Sequence, residues 1–311
     1  MNTQKTVVSV HETGSRHWVG DGFPVRNLFP SNGVGNEVSP FLMLDYAGPA
    51  AFEPSDKPRG VEEHPHRGFE TVTIAYQGSV DHRDSAGNAG TIEPGDVQWM
   101  TAASGVVHEE MHGREFTRQG GVFEMVQLWV NLPAKDKMSP PKYQSITKAQ
   151  IPTVALSGGA SARVIAGELN GVRGPADTFT RLHVWDLRMN AGAATALPLP
   201  AGCNTAVVLL RGGVTVAGKA LDGEAKLALL SQQGEEVQLQ ASADSLLLVL
   251  SGEPIHEPVA SYGPFVMNTD AEIRQAFMDY QSGHFGEIEG AEEEYAQTAR
   301  ANALRGKKDE L

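Results

Sequence analysis

Ten histidines are spread over 311 residues, and three of them fall in a pattern that can do chemistry. His64-Pro65-His66 sets two imidazoles two positions apart, and His108-Glu109-Glu110 repeats the spacing with an imidazole and a carboxylate. On an extended strand, residues i and i+2 share a face, so each pair turns both donors the same way. Two such strands side by side aim four ligands at one point. Three imidazoles and a carboxylate form a mixed nitrogen and oxygen set of borderline softness, suited to Fe(II), Mn(II), Ni(II), Co(II), Cu(II) or Zn(II) and poorly suited to Mg or Ca. In an octahedral sphere that set leaves two cis positions open, enough for a bidentate substrate or for substrate plus dioxygen.

Other residues could support such a centre. Glu70 shares the even numbering of the paired histidines, so spacing alone leaves the choice of carboxylate between Glu70 and Glu110 open, the other becoming a structural acceptor behind the ligands. His112 continues the series 108, 110, 112, as an outer neighbour of the ligands or a surface imidazole. Asp45 is either a turn cap or the acceptor that fixes a ligand imidazole's tautomer. Phe41, Met43, Trp99, Met100 and Trp129 are candidates for the wall of an apolar substrate pocket, with ordinary core as the alternative. His82, near a strand end, reads as exposed.

The elements that must position these residues are strands. The chain holds 34 glycines and 18 prolines, and punctuation that dense favours short strands joined by turns. Thr71 to Tyr76 is rich in β-branched residues and runs into Gln77-Gly78, Glu93-Pro94-Gly95-Asp96 is a turn before Val97 to Met100, and Val126 to Leu132 closes a first unit. The second half repeats this outline. Setting Gly212 on Gly78 places Pro198 on His64 and Pro200 on His66, so the repeat keeps its strands and loses its ligands. Two such units fit tandem barrels or sandwiches. Thr269-Asp270-Ala271-Glu272 is then a capping box, with Ile273, Ala276, Phe277 and Tyr280 at helical spacing behind it. A second helix is expected between Glu292 and Lys308, with a frayed tail as the alternative.

A net charge of −13 disfavours direct binding to nucleic acid or to anionic membrane. The single cysteine, Cys203, excludes an intrachain disulfide and fits a reducing compartment, and no apolar leader is visible, so the expected location is cytoplasmic. The closing Lys308-Asp309-Glu310-Leu311 spells a retention signal that is read only on secreted chains, and is taken as a chance match.

Four segments, His64 to Val72, Pro94 to Ala102, Val126 to Leu132 and Gly263 to Thr269, resemble the hallmark segments of the pirin family, and the match runs to near residue 283. The resemblance implies an all-β bicupin: two tandem jelly-roll-like cupin barrels facing each other, with one non-haem metal, usually iron, in the first. The family's ligands carry over onto His64, His66, His108 and Glu110, which favours Glu110 over the Glu70 that ordinary cupins recruit. On this reading the first barrel spans 1–133, a linker 134–150, a metal-free second barrel 151–268, and a helix with an acidic tail 269–311. The resemblance further implies a quercetin 2,3-dioxygenase-like enzyme acting on a flavonol and O2, with Glu110 as base. The alternative is a pirin-like redox-sensing regulator that binds a transcription factor or metabolic enzyme.

Overall fold

The computed structural model describes residues 3–13, 15–29 and 37–289. The expected second helix and the retention-like tetrapeptide lie outside the described residues. Seven strands form one sheet, in the order Lys142–Ile146, Val97–Thr101, Phe69–Gln77, Gly121–Asn131, Phe41–Phe52, Phe23–Phe29 and His17–Val19. A four-stranded sheet, Gly60–His66, Val106–His112, Val80–Asp84 and Ala89–Ile92, closes the first barrel against it. The second barrel is a nine-stranded sheet built around Asn204–Val216, Ser245–Gly252 and Leu182–Met189, with Ala194–Pro198 paired to Glu236–Ala241. No helix among the described residues is long and apolar enough to cross a membrane.

Alternation along the strands explains how the barrels meet. In Phe69–Gln77 the side chains of Val72, Ile74 and Tyr76 join a core that also holds Val208, Leu210, Leu248 and Leu250 of the second barrel. Thr71, Thr73 and Ala75 therefore face the other way, into the first barrel. Full burial of each such aliphatic side chain stabilises by roughly 1.5–3 kcal/mol, so this shared face holds the barrels front to front. Polar ties cross it as well: fully buried Glu124, held by Tyr46 at 2.7 Å, accepts from Arg211 of the second barrel at 3.0 Å, and Tyr76 donates to fully buried Asp186 of the second barrel at 3.4 Å.

The chain crosses between barrels more often than the division at 133 and 150 allows. The expected linker contains Lys142–Ile146, which pairs with Val97–Thr101 as an edge strand of the first barrel. Val7–Glu12, expected in the first barrel, pairs instead with Lys219–Leu230 of the second. After the second barrel, Phe265–Met267 returns to the first, bridging Arg67, and is followed by the helix Asp270–Gln281. The capping box forms as expected: Thr269 Oγ1 accepts from the Glu272 amide at 3.2 Å, and Glu272 reaches back to the Asn268 amide at 3.1 Å. Ile273 and Ala276 are buried under the helix.

The internal repeat is real in outline but shifted in register. Lys219–Leu230 occupies the place of Val97–Thr101, and Glu236–Ala241 that of Val106–His112. Pro198 is exposed, and the inward positions are Leu197 and Leu199, which pack against Val237 and Leu239. The second barrel has apolar residues where the first has its paired histidines.

Candidate metal centre

Gly60–His66 and Val106–His112 run antiparallel with His64 opposite His108 and His66 opposite Val106. A register shift between His108 and Glu110 bends the second strand just past its histidine. The result is a cluster in which one nitrogen from each of His64, His66 and His108 lies within 4.8 Å of the other two. His66 and His108 are buried and His64 is half-buried.

The hydrogen bonds prepare these rings for a cation. His64 Nδ1 lies 2.8 Å from the Glu62 carbonyl and His66 Nδ1 lies 3.2 Å from the Pro264 carbonyl. A carbonyl only accepts, so each Nδ1 carries the hydrogen and each Nε2 presents its lone pair. Both ring nitrogens of His108 are buried with no hydrogen-bond partner among the described residues. Burial, joined by the neighbouring imidazoles, holds His66 and His108 well below the usual histidine value, and burial lowers His64 as well. Neutral imidazoles with free lone pairs, one wholly unpartnered, fit a transition-metal ion.

Glu110 is buried beside the cluster but is not one of its three mutually close donors. Its carboxylate accepts from the Thr73 hydroxyl at 3.0 Å. Thr73 Oγ1 also lies 2.7 Å from Gln127 Oε1, and since one hydroxyl has one hydrogen, both contacts are satisfied if the Gln127 amide is turned to donate to Thr73. Burial raises the Glu110 carboxyl to about 7 against the opposing Thr73 bond. Glu70, also raised by burial to about 7, accepts from Thr101 at 2.7 Å. It lies on the face of its strand opposite Thr73, turned toward the core between the barrels. The numbering parity linking Glu70 to the histidines fails because the tight turn at Gly68, with φ of +89°, separates the two strands.

The large sheet's inner face lies across the barrel. One rung reads Met43, Trp129, Thr71, Met100 and Tyr143 across five strands, and the next reads Asn27, Asp45, Gln127, Thr73 and Gln98. Trp129 meets the His66 ring edge-on at 5.3 Å between centroids, and Phe69 meets it at 5.1 Å. Met43, Met100 and Trp129 thus share the inner face with the imidazoles. Phe41 and Trp99 do not: both belong to the core between the barrels, Phe41 because a register shift beside Trp129 turns it outward. Asp45 accepts from Asn27 at 2.6 Å and orients no ligand imidazole. His112 is neither an outer neighbour of the ligands nor a surface ring; it is buried in a box of Phe23, Phe52, Phe116 and Phe123, with Nε2 2.9 Å from the Gly22 carbonyl.

Several participants escaped the sequence reading. His82 was expected at the surface, yet it is buried, pairs with Glu110 in register, lies 5.3 Å from the His108 ring and stacks on Tyr143. Neither of its nitrogens has a partner among the described residues, and burial lowers it to about 3. The signal was available in Val80-Asp81-His82-Arg83-Asp84, where charged Asp81 and Arg83 alternate with buried positions. The returning chain is the other surprise. Arg67 is buried, donates through Nε to the Ser104 carbonyl at 2.6 Å and pairs with Asp279 at 2.7 Å, while its guanidinium lies 4.6 Å over the Phe285 ring. Lys137 ties the Gly68 and Val266 carbonyls and Asn131 together through one buried ammonium. No spacing rule announces such long-range partners.

The Pirin family model matches residues 22–130, and the Pirin C-terminal cupin domain model matches residues 184–286. A protein of Pseudomonas aeruginosa provisionally named quercetin 2,3-dioxygenase is 55% identical over 282 residues, covering 90% of this chain and 98% of that one. A pirin-like protein of Solanum lycopersicum is 40% identical over 270 residues, covering 86% and 88% of the two chains. The crystal structure of quercetin 2,3-dioxygenase from Acinetobacter baumannii superposes with a TM-score of 0.89 at 52% identity, covering 92% of this chain and 99% of that one. At 18% identity and a TM-score of 0.60, covering 79% and 100%, a bacterial pirin from Escherichia coli in complex with nickel(II) shares the fold. With two barrels front to front, a histidine cluster in the first and apolar residues in its place in the second, the chain belongs to the pirin family.

Proposed function

We propose that this protein is a metal-dependent dioxygenase that opens the central ring of a flavonol such as quercetin, consuming O2 and releasing carbon monoxide. The observation that carries the reading is the cluster of three imidazoles within 4.8 Å, two of them pinned through Nδ1 and the third unpartnered. The names of the Pseudomonas and Acinetobacter relatives support it. His64, His66, His108 and Glu110 would hold the ion, iron in the first instance, with Mn, Ni, Co, Cu or Zn compatible with the same donors and nickel reported for one relative. Bound there, the ion would supply Lewis acidity toward the flavonol oxygens and dioxygen.

The chain's own residues do the rest. Trp129 and Phe69 stand against His66, and Met43, Thr71 and Met100 continue the inner wall, giving a flat aromatic substrate apolar surface on one side. His82, stacked on Tyr143 at the end of that same rung, stands beside His108. Glu110, steadied by Thr73, accepts the proton of the flavonol 3-hydroxyl. A cytoplasmic location agrees with a single free, buried thiol at Cys203.

The test is to quantify bound metal after purification at low oxygen, then follow loss of the flavonol absorbance band and carbon monoxide release in aerated buffer with and without Fe(II). Turnover that disappears in His64→Ala and in Glu110→Gln is the expected result. A metal-loaded protein inert toward several flavonols overturns the dioxygenase reading in favour of a regulatory one.

A further inference from the structure

The second barrel lacks ligands but not a cavity. A cleft of about 880 Å³ opens at the end of Ala194–Pro198 and the start of Glu236–Ala241, the same mouth at which the first barrel carries His64, His66 and His108. Its volume falls in the range of small-molecule sites, roughly 300–1,000 Å³. Two residues from the start of Leu182–Met189, His183 and Trp185, line it from the barrel interior.

Both carry hydrogen-bond donors without a partner among the described residues. His183 is 7% exposed, and its Nδ1 accepts from the Glu168 amide at 3.2 Å. Burial, and secondarily Arg181, lowers its pKa, so the ring is neutral and its single hydrogen is on Nε2. That Nε2 has no partner among the described residues. Trp185 is 1% exposed, and its indole nitrogen, a donor only, is likewise unpartnered. The two rings lie 5.1 Å apart between centroids. Gly167, with φ of +75°, lets the overlying loop close onto this pair, since a Cβ there would come within 2.2 Å of His183 Nδ1. Two buried, unpartnered donors on adjacent side chains that line the cleft suit an acceptor.

The rim and walls narrow the class. Arg173 and Arg181 stand at the rim, and Arg181 pairs with Glu253 at 3.5 Å while 68% of its side chain is exposed. Glu168 and Glu235 also line the cleft, so two cations and two anions balance, which disfavours a polyanion and leaves the paired N–H donors to select the acceptor. Phe179, Leu182, Leu199 and Pro200 supply apolar walls suited to a ring. We propose that the mouth of the second barrel is a separate binding site for a small aromatic carboxylate, its carboxylate received by His183 Nε2 and Trp185 Nε1 and its ring held by the apolar wall.

The probe is benzoate, titrated by calorimetry into full-length protein freed of metal with a chelator, with benzyl alcohol as the uncharged comparison. Saturable binding is expected, unchanged in His64→Ala and weakened about tenfold or more in His183→Phe and in Trp185→Phe. Arg181→Gln, on an exposed side chain, is expected to weaken it about threefold, which keeps the test valid if the buried variants fail to fold. No saturation by about 10 mM benzoate overturns the proposal, as does benzyl alcohol binding equally well. Wild-type affinity in Arg181→Gln together with either buried variant, or loss of binding in His64→Ala, does the same.

Discussion

The clasp formed by Arg67 and Asp279 allows a quantitative test of how the returning chain serves the metal centre. Asp279 lies in the last turn of Asp270–Gln281, where a negative charge opposes the helix dipole, and Arg67 offsets it directly. Arg67→Met removes a 2.7 Å ion pair, a 2.6 Å bond to the Ser104 carbonyl and the contact with Phe285. Breaking a buried pair costs about 3–5 kcal/mol, and because the Asp279 side chain keeps 19% exposure, the low end, about 3 kcal/mol, applies. Asp279→Asn, which leaves the Ser104 bond intact, should cost about 1–2 kcal/mol.

The assay is a double-mutant cycle by urea unfolding, paired with Ni(II) titration of the same four proteins. A coupling of about 1–2 kcal/mol is expected for two groups in direct contact. Arg67 follows His66, and the strand bearing Pro264's carbonyl neighbour, Phe265, bridges Arg67, so loosening the clasp loosens the bond that fixes the His66 ring. Loss of such outer support lowers metal affinity about 10–100-fold. A coupling below about 0.5 kcal/mol would refute the energetic reasoning. Unfolding that shifts as expected while Ni(II) affinity stays at the wild-type level would show that the clasp holds the fold and does not position the ligand.

Three further outcomes follow from the geometry. Glu110→Gln should deplete bound metal while Glu70→Gln leaves it near wild type, because Glu70 faces Thr101 on the far side of its strand; metal analysis showing the reverse would exchange their roles. Lys137→Met takes the ammonium from the buried Gly68 and Val266 carbonyls and leaves Asn131 Oδ1 with the Leu132 amide alone, and should destabilise by about 2–3 kcal/mol or more, read as a lower urea midpoint. The Asp279 carboxyl is held below its ordinary value, chiefly by its hydrogen bond from Arg67, so the clasp's contribution is fully present above the unfolded value of about 4 and is lost only as pH falls through the lowered folded value. Acid unfolding of Asp279→Asn should therefore converge with wild type below that window and diverge above it.

The histidine cluster was legible because period-two spacing survives wherever a strand forms, and His64 and His66 obey it on a strand paired with that of His108. The helix was legible because its capping box is local. Glu70 was ambiguous because parity holds only within one strand, and the turn at Gly68 resets it. His82 was missed because one imidazole between two charges reads as surface until the strand's partner is known. The strand exchanges were invisible for a related reason. Val7–Glu12 and Lys142–Ile146 are ordinary edge sequences, and which sheet they join depends on pairing across more than two hundred residues in the first case.

Those exchanges bear on why a ligandless barrel remains attached. The histidine cluster rests on the four-stranded sheet of the first barrel and is backed by the carbonyl of Pro264, the Asp279 carboxylate and the Phe285 ring, these last three supplied after the chain has traversed the second barrel. Val266 accepts from Lys137 and donates to the Arg67 carbonyl at 3.0 Å, so the same short strand grips both ends of the Gly68 turn. A Cβ at Gly68 would fall 1.9 Å from the Val266 carbonyl oxygen, which leaves no room for any other residue there. The second barrel is therefore tied to the first by the shared apolar face, and the chain that leaves it supplies the carbonyl that fixes the His66 ring.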